Sequence, residues 1–332
     1  MAYPVFDLHC DTASMLCLHD VPGGVRDALE VPEELMPACG SSLVESSLHI
    51  SVKAIDNIPW LQCFACFIPD TMDVEQAGEL WRSVSTYLDA QVAEHSDVLA
   101  AVRGVDDAQA ALASGKLGIV KTIENARLFA ADPAWVHRCA QEGVCMASLS
   151  WNAQGPLASG HDVENAGLTP AGREAVRLME EERMVLDVSH LNDTCFAEVA
   201  RIAQRPFIAS HSNARAVCGH PRNLTDDQFR EVRDRGGLVG LNYCDDFLVD
   251  ETEGREPTYD DVFAHIEHWL DLGGERVVAL GSDFDGCEPP SCLADASKLG
   301  AFQERLVERF GGDITEAICG GNALRFFAEQ AW

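Results

Sequence analysis

Eight short apolar runs bounded by turn residues, most separated by room for one helix, constrain the fold more than any other feature of this sequence. They fall at 5–9, 61–68, 117–124, 144–150, 184–190, 206–211, 237–243 and 277–283. Near-continuous hydrophobic runs of this kind suit parallel strands covered on both faces. Helical signals lie between them. Thr169-Pro170 supplies an N-cap and a first-turn proline, and Thr225-Asp226-Asp227-Gln228 reads as a capping box. Residues 73–95 read as one long helix, and 258–272 places Val262, Ile266, Trp269 and Leu270 at helical spacing. Eight strand–helix units in 332 residues predict an α/β fold, a (β/α)8 TIM barrel of the metal-dependent hydrolase type, with a doubly wound open sheet as the alternative. No repeat or linker interrupts the chain, so 1–332 reads as a single barrel domain.

The 54 acidic against 24 basic residues leave a net charge of −30, which repels phosphate backbones and anionic lipid. Nucleic acid and membrane are therefore not expected partners. No run of eighteen apolar residues occurs, and the first strand begins too early for a signal peptide, so a cytoplasmic protein is expected. The 13 cysteines are then expected as thiols. Cys63-x-x-Cys66 has redox or zinc spacing, but it sits inside an apolar run and reads as core strand.

Barrel enzymes place their chemistry at the carboxyl ends of the strands. Here those ends carry His9 and Asp11, Glu124, His190, His211 and Asp283. Any one histidine after a strand reads as a structural residue. Three histidines and three carboxylates converging on one rim read as a metal centre, because buried carboxylates are costly unless paired or coordinated. Two divalent ions balance three carboxylates and a hydroxide, which favours a dinuclear site bridged by Glu124. Histidine-rich ligation favours two Zn²⁺ per chain, with manganese and cobalt as alternatives. Lys121, as a carboxylated lysine, is a competing bridge, but alternation points Lys121 and Glu124 to opposite faces, so at most one enters the site. Asp283-Phe284-Asp285-Gly286 superficially resembles a calcium loop but lacks its later acidic positions.

Motifs along nearly the whole chain resemble the membrane (renal-type) dipeptidase family of zinc metallopeptidases. They are Asp7-Leu8-His9-Cys10-Asp11-Thr12, Ile123-Glu124, Gly167-Leu168-Thr169-Pro170, Asp187-Val188-Ser189-His190, Ala209-Ser210-His211-Ser212, His220-Pro221-Arg222-Asn223, Gly281-Ser282-Asp283-Phe284-Asp285-Gly286 and Gly320-Gly321-Asn322. The resemblance implies His9 and Asp11 on one zinc, His190 and His211 on the other, and Glu124 between them. It further implies Asp283 as acid/base beside a metal-bridging hydroxide, Arg222 on the substrate carboxylate, a small dipeptide as substrate and a homodimer. Two departures stand out. Many relatives carry a histidine at the end of strand four, where this chain has Ser150-Trp151-Asn152. Asn152, or the loop residue His161, is then expected to contribute to substrate binding in its place. Asn125-Ala126 follows the glutamate where glycine is usual. The Trp151 departure leaves an N-acyl amino acid amidohydrolase or a β-lactam hydrolase as the alternative activity, and a non-catalytic metal-binding barrel as another.

Overall fold

The computed structural model describes residues 2–330 apart from 22–24, 27–36 and 39. Its sheet comprises β1 (Val5–Cys10), β2 (Trp60–Phe67), β3 (Leu99–Ala101), β4 (Leu117–Glu124), β5 (Val144–Ser148), β6 (Val185–Asp187), β7 (Val239–Leu241) and β8 (Val278–Leu280). The strands pair in parallel in the order β6-β5-β4-β2-β1-β8-β7, and β3 pairs with β4 off this path. The ring closes through the segment predicted at 206–211. That segment forms no continuous ladder, only parallel bridges from Ile208 to Asp187 and from Ala209 to Val239. It stands as the eighth stave of a (β/α)8 barrel.

Four staves are shorter than their apolar runs, because each ladder stops before the polar residue that turns toward the rim. β6 ends at Asp187, three residues short of His190, and β8 ends at Leu280, short of Asp283. β3 was not among the expected strands; it is three residues long and pairs with the first residues of β4, whose later residues pair with β5.

Phe6, Leu8, Leu61, Val120, Ile208 and Leu238 pack into one cluster although they come from opposite staves, so they fill the barrel interior. Phe327, from the helix Asn322–Glu329, stacks on Phe6 at 5.3 Å and plugs the amino-terminal end. Helices clothe the outside. Val74–Glu94 starts at a capping box formed by Asp73 and Gln76, and Pro170–Glu181 starts at the Thr169 cap. Tyr259–Asp271 buries Val262, Ile266 and Trp269, the last stacked on Phe229. Cys63 and Cys66 are buried in β2, and every described cysteine is a free thiol. Among the described residues no helix is long and apolar enough to cross a membrane.

Candidate metal centre

The carboxyl-terminal rim brings together His9, Asp11, Glu124, His190, His211 and Asp283, all buried. Glu124 occupies the middle. Its Oε2 lies 3.4 Å from His9 Nε2, while its Oε1 lies 2.7 Å from His190 Nε2 and 4.0 Å from His211 Nε2. One carboxylate thus faces two clusters through different oxygens. On the first side, His9 Nε2 is 3.7 Å from both Asp11 Oδ2 and Asp283 Oδ1. On the second, the Nε2 atoms of His190 and His211 face each other at 3.0 Å. Lys121 points away, to Ser85 and Asp89 on the helix Val74–Glu94, so it takes no part in this cluster.

Each histidine of the second cluster has its other ring nitrogen occupied. His190 Nδ1 donates to Asn152 Oδ1 at 2.8 Å, and His211 Nδ1 donates to Ser210 Oγ at 2.6 Å. Ser210 Oγ in turn donates to Asp187. This leaves both Nε2 lone pairs directed at the centre, the arrangement that metal-binding histidines adopt. His9 Nε2 and Asp11 Oδ1 are buried without a hydrogen-bond partner. Groups of this kind, His9 with Glu124 and His211 and His9 with Asp11 and Asp283, stand close enough to share a cation. The donor set of imidazoles and carboxylates fits zinc.

The side chains alone are electrostatically frustrated. Burial and the Asp11 carboxylate push the Glu124 carboxyl up to about 7. Burial opposes a charged His9, but Asp11 and Glu124 outweigh it and hold that imidazole well above its ordinary range. Burial, with Arg222 and the neighbouring imidazoles, keeps His190 and His211 well below theirs, in the neutral form that ligates.

Several supporting residues escaped the sequence reading. Asp7 accepts from the backbone N–H and hydroxyl of Ser282, and Asp187 does the same for Ser210, so each buried aspartate fixes the serine preceding a rim residue. Asn242 donates to Asp283 Oδ2 at 2.9 Å. His49, assigned nothing from sequence, accepts from the Asp285 N–H, and its own N–H donates to the Asp285 carboxylate. The available signal for Asp7 and Asp187 was an aspartate set within an apolar run, two residues before His9 and three before His190. Nothing in the spacing pointed to His49, which arrives from a long loop.

Backbone conformation follows the chemistry. Asn125, His190, Asp283 and Asp285 have φ of 59°, 70°, 61° and 65°. This left-handed region is one that non-glycine residues seldom adopt. Gly286 has the opposite role: a Cβ there would stand 2.2 Å from Asp11 Oδ2 and 2.5 Å from Asp283 Oδ1.

A cavity of about 420 Å³ opens onto the cluster, bounded by Glu124, Asn152, His190 and Asp283 and by Trp151, which sits edge-on to Phe67. Arg222 does not line it. The guanidinium is buried, donating to Ser212 Oγ and to the His211 carbonyl, with Nε unpartnered. No carboxylate pairs with Arg222 among the described residues. His161 lies with its ring 6.2 Å from that of His190 and lines a separate groove beside Arg215.

A protein of Klebsiella pneumoniae named for the pqqA 5′ region is 42% identical over 134 residues, 40% of this chain and 49% of its own length. An uncharacterized dipeptidase of Schizosaccharomyces pombe is 35% identical over 210 residues, 61% of this chain and 51% of that protein. The chain thus spans about half the length of these relatives. A crystal structure of a Rhodobacter sphaeroides metallo peptidase, liganded with a phosphinate mimic of L-Ala-D-Ala, superposes with a TM-score of 0.86 at 25% identity, covering 100% of both chains. The family model for membrane dipeptidases matches residues 1–331, and this chain belongs to that family, peptidase family M19.

Proposed function

We propose that this protein is a dinuclear zinc dipeptidase, acting in the cytoplasm on small dipeptides. The observation that carries the reading is the division of Glu124, one oxygen toward His9 and the other toward His190 and His211. Asp11 completes the first set of ligands. Two zinc ions held there would supply Lewis acidity for the scissile carbonyl and lower the pKa of a water toward neutrality.

The chain's own residues do the rest. Asp283, buried at the cavity edge and steadied by Asn242, takes the proton from the attacking water and returns it to the leaving amine. Arg222, buried off the cavity wall, serves the substrate carboxylate through the field of its guanidinium; its lack of an acidic partner among the described residues supports that role, since burying an unpaired charge is costly. Asn152 borders the cavity and contributes through His190 rather than as a replacement for the missing histidine. The free thiols of the described cysteines support a reducing compartment.

Metal content per chain, measured with release of amino acids from L,L and L,D dipeptides before and after chelation, tests the reading. Two zinc ions and chelator-sensitive cleavage are expected. Metal without cleavage moves the substrate class elsewhere, and absence of metal overturns the reading.

A further inference from the structure

The cavity over the metal centre is acidic beyond what the centre needs. Asp285, on its wall, is already held by His49 and Thr12. Asp245, Asp246 and Glu288 also line the cavity, from the loops after β7 and β8, and none has a cationic partner among the described residues. The two loops are tied together by the Asp245 N–H donating to the Glu288 carbonyl at 3.1 Å. Among the described residues no lysine or arginine lines the cavity. Partial burial, with the charges of Glu256, Asp246 and Glu288, pushes the Asp245 carboxyl up to about 6. Three carboxylates beyond those of the metal centre and Asp285 thus line one space, with no lysine or arginine among the described residues of its wall.

The cavity is a ligand site on grounds independent of this cluster. It opens onto the metal centre, where Asp11, 6% exposed, borders it with Oδ1 unpartnered. Half-buried Met15 and buried Leu18 also line the cavity and give it apolar character. A long aliphatic chain ending in a charge matches both surfaces.

We propose that Asp245, Asp246 and Glu288 select dipeptides bearing a lysyl or arginyl side chain, its stem along Met15 and Leu18 and its charge among the three carboxylates. This inference rests on the dipeptidase reading and names its substrate class. Every dipeptide carries an α-ammonium, so the comparison that isolates the side chain is lysine against isosteric, uncharged norleucine.

The test measures kcat/KM for Lys-Ala, Ala-Lys and their norleucine counterparts, on the zinc-loaded wild type and on the double variant Asp246→Asn/Glu288→Gln, at low and high salt. The wild type is expected to favour lysine at one position by roughly tenfold. That ratio should fall toward one in the variant and with added salt. Equal rates for lysine and norleucine in the wild type, or a lysine preference unchanged in the variant, would overturn the inference while leaving the dipeptidase reading intact. A proportional fall for all four substrates in the variant also counts against it, as a structural effect. Failure to cleave any of the four overturns the dipeptidase reading itself, and this inference with it.

Discussion

Asn152 Oδ1 lies 2.8 Å from His190 Nδ1, on the side of the imidazole opposite Glu124. An amide oxygen only accepts, so the contact places the ring proton on Nδ1 and leaves the Nε2 lone pair for a metal. Outer partners of this kind typically carry 10- to 100-fold in metal affinity. Asn152→Leu should therefore weaken zinc binding by roughly that factor in competition with a chelating dye, with an unchanged far-ultraviolet circular dichroism spectrum. Wild-type affinity in that variant would assign the contact to loop structure alone.

Asp283→Asn keeps the size of the side chain and an oxygen facing the centre but removes the base. Turnover should fall by roughly 10²- to 10⁴-fold. Zinc content, read by elemental analysis of the same samples, should stay at the wild-type value. A loss of metal in step with activity would make Asp283 a ligand first.

Gly286→Ala inserts a methyl group where the Asp11 and Asp283 carboxylates stand. Both carboxylates belong to the centre, so they cannot yield without disturbing it. Zinc occupancy should drop sharply while the thermal transition of chelated protein shifts little, because Gly286 is exposed and outside the core. Full occupancy would show that the loop relaxes at low cost.

His265 supplies a pH dependence remote from the centre. Its Nδ1 accepts the Ala214 N–H at 3.0 Å and its Nε2 contacts the Leu248 carbonyl, so the folded chain holds it neutral. Burial, only partly offset by the Leu248 hydrogen bond, lowers its pKa from 6.5 to about 4. Asp261 opposes this shift and His268 adds to it. Because the folded value lies below the unfolded one, the contribution is present above pH 6.5 and lost as pH falls toward 4. It amounts to roughly 3 kcal/mol. Urea unfolding of chelated protein should show this loss in the wild type, and a shallower pH slope in His265→Gln. Identical slopes would refute the assignment.

The barrel was legible because its staves are apolar runs and its rim residues terminate them. His9, Glu124, His190, His211 and Asp283 each follow or end such a run, so position alone flagged them. The short ladders were not legible: apolar Val188 continues the run past the end of β6 at Asp187, and the left-handed residues His190 and Asp283 stand three residues beyond the ends of β6 and β8. Asn152 appeared as a stand-in for a substrate-binding histidine, and its contact with His190 emerges only when the loops after β5 and β6 meet. His49 was unreadable for the same reason, since 236 residues separate it from Asp285.

The left-handed turns at His190 and Asp283 have an evolutionary consequence. Holding a branched or bulky L-residue there costs roughly 1–2 kcal/mol, which glycine avoids. Selection for heat tolerance alone would push both positions toward glycine, and each such step would erase an imidazole or a carboxylate that no neighbouring residue replaces. A lineage released from its catalytic duty should therefore lose these two residues early, and a lineage that keeps them is still under selection for chemistry.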